Sequence, residues 1–498
     1  MGKYKIKVKK QKKGLNFKVP NKKTKYIAIA LSIIVLFGMV LRFIGFSRPH
    51  NFTFDEGLYT QMGHQIMQGQ EYSSVRVYNQ EAKRGRKLPA YLKQPLFKHP
   101  PLYCQMISVF HSLFGPGYPS AVKVSILFGI ATIIIVFFIG KLIGDWKVGL
   151  LAAGLLAIEP VHWITSQKIW METTLTFFMT ATAFFFLKGL DNEKYFKYAG
   201  FMLGGALITK YPGVLAGICI FVYALLVERR LFKNKKFWLI PGIAFLMFLP
   251  WLLSNMKVYG IGYLFPGKGV SKELGHVLEI SKPFIWGGAF ISVVVSALYV
   301  VLRKKNMTFF KEKITENTIF QYVSKRKTLL LWIVSAVAFL LCILLSTSFR
   351  FNIIHAFSLK YIPENGWKVN QFGAEPWYFY VKRLTMLSPF YFLGYLGVIF
   401  YSFKNKKFFY LGFSVFLIFT FFIKWGNYQS RYILPVIPLL MVMTGYIIFK
   451  IIRKISEIEN KNRRIILSTC FYLFIMIALV KTLQIDFAFV LPNSAAYF

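Results

Sequence analysis

Apolar residues run through this chain in long blocks, interrupted by short polar links. A block of roughly 17–25 such residues crosses a bilayer as a helix. Blocks at 26–46, 120–143, 148–162, 171–188, 195–209, 211–228, 237–255, 284–302, 328–348, 384–402, 408–423, 432–449 and 465–483 predict about thirteen spans. The run 102–114 is too short to span and carries Gln105, Ser108, His111 and Ser112, which suits a helix lying in the interface. The short alternating segments of a transmembrane barrel do not occur. The pattern therefore predicts an all-α, polytopic transmembrane bundle, with interfacial helices in the first outer loop, 47–119.

Composition agrees, and charge adds an orientation. Of 498 residues, 56% are hydrophobic, and the net charge is +43. The basic residues gather in links between blocks, as in Arg229, Arg230, Lys233, Lys235 and Lys236, or Lys404, Lys406 and Lys407. With the N-terminus inside, the links 144–147, 189–194, 229–236, 303–327, 403–407 and 450–464 share the cytoplasmic side, as the positive-inside rule asks. The charge thus reads as a membrane face against anionic headgroups, not as a nucleic-acid surface, for which no motif is present. The expected division is a basic cytoplasmic tail 1–25, a transmembrane domain 26–483 and a short outer tail 484–498 in the plasma membrane. Cys104, Cys219, Cys342 and Cys470 are far apart and have no metal-ligand spacing.

Candidate chemistry is sparse enough to stand out. Only 19 residues are acidic, so an acid near the membrane needs a reason. Asp55 and Glu56 follow the first span, Glu159 ends the third, and Glu172 begins the fourth, all expected at outer-face depth. Paired carboxylates there can bind a divalent cation or take a proton from a hydroxyl; an exposed turn or helix start is the plainer reading. Acids in one low-dielectric site need a cationic partner. Lys210 lies at a break between two half-length helices, and Lys424 and Arg431 flank a short outer link. These cations suit a phosphate; as snorkelling or edge-anchoring residues they are ordinary. His99 precedes Pro100 and Pro101, which fix the backbone, and is a metal or phosphate candidate. No P-loop, GxSxG elbow or HExxH motif occurs, and no soluble nucleotide-binding domain is evident.

Several stretches together resemble the GT-C superfamily of polyprenyl-phosphate-dependent glycosyltransferases, in its protein O-mannosyltransferase-like and lipid A aminoarabinose transferase-like branch. They are Asp55-Glu56, His99-Pro100-Pro101-Leu102-Tyr103, Met171-Glu172, Thr209-Lys210-Tyr211-Pro212-Gly213, Arg431 through Leu440 and, more weakly, Pro376 through Tyr380. The resemblance implies an outward-facing site fed by a lipid-phosphate sugar. Asp55 maps to the catalytic or metal-side carboxylate, Glu172 to the acid opening span four, and Lys210 and Arg431 to phosphate-contacting groups. His99 stands where the aminoarabinose branch carries Lys, as in the mannosyltransferase-like branch.

The expected function is transfer of a hexose or pentose from a polyprenyl-phosphate donor to a protein, glycan or lipid acceptor, with inversion. Asp55, Glu56 and Glu172 are the expected catalytic acids. His99, Lys210, Lys424, Arg431 and Tyr59 are the expected substrate-binding residues. Asp55, Glu172 and His99 form the candidate set for a divalent metal such as Mg, Mn, Ca or Zn. A transporter or lipid-handling protein using the same cavity is the alternative; inverted repeats with paired helix breaks would mark it, and the break at Lys210 has no counterpart in the second half.

Overall fold

A computed structural model of the chain describes residues 22–44, 53–85, 90–261, 378–425 and 429–490. The expected spans 284–302 and 328–348, and residues Pro376 and Trp377, lie outside these. The described chain is nearly all helix, and no strand occurs among the described residues. Among the described residues, six helices are long and apolar enough to cross a membrane, or seven if one bent pair counts as a single span. The sequence count of thirteen also includes shorter apolar helices and the two spans outside the described residues.

Helix α1 (Lys22–Phe43) leads to three short helices of the first loop: α2 (Phe54–Met67), α3 (Val75–Lys83) and α4 (Leu102–Phe114). The expected short helix over 102–114 is α4. The bundle then builds from α5 (Tyr118–Ile143), α6 (Trp146–Ala157), α7 (Pro160–Ser166), α8 (Met171–Gly189), α9 (Phe196–Thr209), α10 (Val214–Leu226) and α11 (Leu239–Tyr259). After the undescribed stretch come α12 (Phe379–Leu387), α13 (Phe390–Tyr401), α14 (Lys406–Trp425), α15 (Ile437–Ser456) and α16 (Lys461–Val490).

Proline divides two of the predicted spans. The block 148–162 is α6 and α7, bent by 60° at Ile158–Glu159. Pro160 takes the first position of α7, where its missing amide costs nothing, and Glu159 caps it by accepting from the amides of Val161 and His162 at 3.1 and 2.6 Å. Glu159 also accepts the Tyr391 hydroxyl. It serves this junction beside Arg42, whose Nη2 lies 2.7 Å from His162 Nδ1. The hydrogen bonds of Glu159 thus all serve this junction. The block 384–402 is likewise divided at Ser388 and Pro389 into α12 and α13.

The core brings α5 and α6 against α15, and α8 against α5 and the turn Ser430–Val436 that precedes α15, with Leu156, Phe186, Leu440 and Val442 buried. Small residues allow close approach: a Cβ on Gly445 would lie 3.0 Å from the Ala152 amide nitrogen. At one end of the bundle, links between helices are tied by ion pairs of Lys407 with Asp191 at 2.6 Å and Lys236 with Glu193 at 3.2 Å, and of Lys406 with Glu228. The starts of α8 and α15 and the end of α9 meet at the opposite end, under α2.

Candidate active site

The start of α2 is built by Thr53. Its hydroxyl accepts from the Glu56 amide at 3.4 Å, and Glu56 Oε2 accepts from the Thr53 amide at 3.0 Å, a reciprocal cap. Glu56 is fully buried, and its Oε1 accepts from the Ile169 amide at 3.3 Å. The neighbouring indole of Trp170 donates to Thr53 Oγ1 at 3.2 Å. Glu56 and Thr53 thus fasten α2 to the segment entering α8. These bonds give Glu56 a positioning part.

That fastening sets Asp55 and Glu172 at neighbouring helix starts, where the helix dipole favours anions. Arg431 comes from the 3-10 turn Ser430–Val436 that leads into α15. Its Nη2 donates to Asp55 Oδ2 at 2.9 Å, and its Nε donates to Gln429 Oε1 at 2.7 Å. The same Nε lies 4.0 Å from Glu172 Oε1. The guanidinium carbon sits 4.5 Å from the centre of the Trp170 ring, so the indole is a platform for the planar fork. Lys210 Nζ donates to Glu172 Oε1 at 2.7 Å and lies 5.1 Å from the centre of the Tyr432 ring. Carboxylates and cations alternate in the order Asp55, Arg431, Glu172, Lys210, so burial of the charges is compensated.

The break that presents Lys210 is enforced by close packing. Thr209 ends α9, and Tyr211, Pro212 and Gly213 form a 3-10 turn into α10. A Cβ on Gly213 would come 2.5 Å from the Ala206 carbonyl carbon, so only glycine permits this approach.

Tyr59 lies one turn beyond Asp55, buried, with ring centres 5.8 Å from Tyr103 and 6.4 Å from His99. Burial, then the negative charge of Asp55 and Glu172, raises its phenol well above the ordinary value. Burial, then Lys98, Lys210 and Arg431, holds the His99 imidazole well below its ordinary value. His99 Nδ1 is buried with no hydrogen-bond partner among the described residues. His99 is thus a neutral ring beside the charged cluster.

The expected metal set does not assemble. Among the described residues, no three of His, Cys, Asp and Glu come together as a metal site. The closest neighbours of the Asp55 and Glu172 carboxylates are cationic side chains, which disfavour a second cation at the same oxygens. Lys424 lies on α14, and its side chain is outside the described residues. Thr53 and Trp170 were not singled out from the sequence. The Thr53-x-x-Glu56 spacing is a capping-box signature and could have revealed the first. With 10 Trp, 28 Tyr and 53 Phe in the chain, nothing marked the second.

Residues 98–253 match the family model described as dolichyl-phosphate-mannose-protein mannosyltransferase, a stretch that includes His99, Glu172 and Lys210. No curated protein sequence matches the chain. Among solved structures, ArnT from Cupriavidus metallidurans bound to undecaprenyl phosphate is similar at 13% identity and a TM-score of 0.52, covering 95% of this chain and 74% of that one. The archaeal oligosaccharyltransferase AglB from Archaeoglobus fulgidus, in complex with an inhibitory peptide and a dolichol-phosphate, is similar at 16% identity and a TM-score of 0.56. The match covers 94% of this chain but only 56% of the AglB chain. The Archaeoglobus oligosaccharyltransferase has also been solved with Zn and sulfate; that structure is similar at 14% identity and a TM-score of 0.52, covering 94% of this chain and 53% of that one. The fold is that of the GT-C glycosyltransferases.

Proposed function

We propose that this chain is an integral-membrane glycosyltransferase that moves a sugar from a polyprenyl-phosphate donor to an acceptor hydroxyl on the outer face, with inversion. The observation that carries this reading is the alternating cluster Asp55, Arg431, Glu172 and Lys210, drawn from four separated stretches to one end of the bundle. The matched family and the lipid-phosphate complexes of the structural neighbours supply the substrate class.

The chemistry follows from where charge develops. A sugar linked through a polyprenyl phosphate is a diester with one negative charge. When the bond from the anomeric carbon to phosphate oxygen breaks, polyprenyl phosphate leaves with two. Cations at that phosphate therefore bind the transition state better than the ground state, which is the condition for catalysis. Arg431 and Lys210 are the groups assigned to it. The acceptor oxygen attacks the face of the anomeric carbon opposite the phosphate, and its proton passes to Asp55. His99, neutral and with an unspent Nδ1, borders the donor site, and Tyr59 closes its wall.

In the resting structure Arg431 is held by Asp55, and Lys210 by Glu172. A donor phosphate competes with these carboxylates for the same N–H groups. Its arrival loosens Arg431 from Asp55 and leaves the Asp55 carboxylate free to meet the acceptor hydroxyl. Donor binding and activation of the base are thereby one event.

The test is an assay of purified protein in lipid nanodiscs with a polyprenyl phosphate carrying a radiolabelled sugar. Release of free polyprenyl phosphate with label moving to acceptor or water supports transfer. Binding with no bond cleavage, or movement of intact donor between leaflets of proteoliposomes, assigns the cavity to lipid handling instead.

A further inference from the structure

We infer that the groove between α2 and α3 is a saccharide-binding site, and that the acceptor is therefore a glycan; this rests on the transfer reaction above. The groove encloses about 510 Å³ and is lined by carboxamides, among them Gln65, Gln70, Asn79 and Gln80. That volume is in the range of about 300–1,000 Å³ usual for small-molecule sites. Asn79 offers a donor and an acceptor side by side, and Gln70 and Gln80, whose oxygens already accept within the wall, offer amide donors, a match for hydroxyls on a sugar ring. Val75 is the sole aliphatic side chain of the lining, which gives little purchase to apolar residues of a peptide. The charged residues of the wall, Glu71 against Arg76 and Lys83, are of mixed sign and do not form an anion clamp.

A second observation points to a ligand. Gln65 is only 4% exposed, and its amide nitrogen has no hydrogen-bond partner among the described residues. Its neighbours on the wall are already organised: Arg76 donates to Gln70 at 2.5 Å, and Gln61 donates to Gln80 at 2.7 Å. An unspent buried amide donor beside this array is costly, and a turn of the Gln65 side chain into the groove would let a ligand hydroxyl take it. The placement also fits. Asp55 and Gln65 share α2 and are ten residues apart, about 15 Å at the rise of an α-helix. An oligosaccharide seated in the groove and running along α2 brings a terminal hydroxyl to Asp55.

Full-length protein in nanodiscs would be applied to an array of neutral oligosaccharides, anionic oligosaccharides and peptides, with Gln65→Leu and Asn79→Ala alongside wild type. The expected result is retention on neutral oligosaccharides, weakened about five- to tenfold by either substitution, in keeping with loss of one hydrogen bond. Retention only on peptides or only on anionic oligosaccharides, no retention of wild type, or equal retention of the variants would overturn the inference. Polyprenyl-phosphate binding on the same samples reports folding and the phosphate site separately. Wild type that binds polyprenyl phosphate but no saccharide defeats the glycan assignment alone. Wild type that binds saccharide but no polyprenyl phosphate defeats the transfer reading instead.

Discussion

At the scale of single residues, the proposed reaction depends on which side chains meet phosphate and which hold those side chains still. Trp170 belongs to the second group. Replacing it with Leu removes the platform under Arg431 and the hydrogen bond to Thr53. We expect polyprenyl-phosphate binding to weaken roughly two- to thirtyfold, the equivalent of 0.5–2 kcal/mol, while Trp170→Phe recovers part of it; calorimetric titration of both variants checks this. Glu56→Ala orphans the Thr53 and Ile169 amides, at about 1–3 kcal/mol for each buried donor. Its signature is a lower thermal midpoint, and Glu56→Gln, which keeps one acceptor oxygen where Glu56 uses two, should restore only part of it. His99 adds a pH dependence of known sign. Its folded value lies below the ordinary one, so below about pH 6.5 the unfolded chain binds a proton that the folded one refuses. This share of stability is present above that pH and is lost as pH falls towards the folded value. Melting curves between pH 7.5 and 5.5 should therefore fall less steeply for His99→Gln than for wild type.

At this scale the sequence was most legible where residues were scarce. With 19 acids against 62 basic residues, Asp55 and Glu172 stood out, and the structure gives both a cationic partner. Glu159 stood out equally, yet it caps α7. Nothing in sequence distinguishes an acid that closes a helix break from one that faces a substrate. Glu56 was legible as an acid, and the structure shows its capping bonds to Thr53.

At the scale of elements, the breaks matter more than the helices. Hydropathy runs unbroken through 148–162 and 384–402, so the pattern suggested continuous spans. Proline divides both, because its ring cannot continue the hydrogen-bond ladder. The break at Lys210 was visible from Tyr211-Pro212-Gly213, and it is the one that presents a cation to the site. Gly213→Ala forces a Cβ into the backbone of Ala206, displacing the turn that aims Lys210. We expect a higher KM for donor with little change in expression, measured by steady-state turnover in nanodiscs. A normal KM would show that the turn tolerates the shift without moving Lys210.

For the whole molecule, the described ion pairs among Lys407, Asp191, Lys236 and Glu193 gather at the end opposite the active-site cluster. These pairs are exposed and worth little individually; under the positive-inside rule the basic excess around them would mark the cytoplasmic side. The account therefore places Arg84, beside the groove, outside and Lys235 inside. In a cysteine-free background, a membrane-impermeant thiol reagent added to intact cells should label Arg84→Cys and spare Lys235→Cys until the membrane is opened. The reverse pattern would invert the topology.

The measurement that bears most directly on the cluster uses one variant and two readouts. In Asp55→Asn, Arg431 loses its Asp55 partner and is freer to meet phosphate, while in the proposed reaction the acceptor loses its base. The account predicts that polyprenyl phosphate binds several-fold more tightly to this variant than to wild type, while donor turnover falls about 10²–10⁴-fold. Turnover near the wild-type rate, or weaker lipid-phosphate binding, would contradict it.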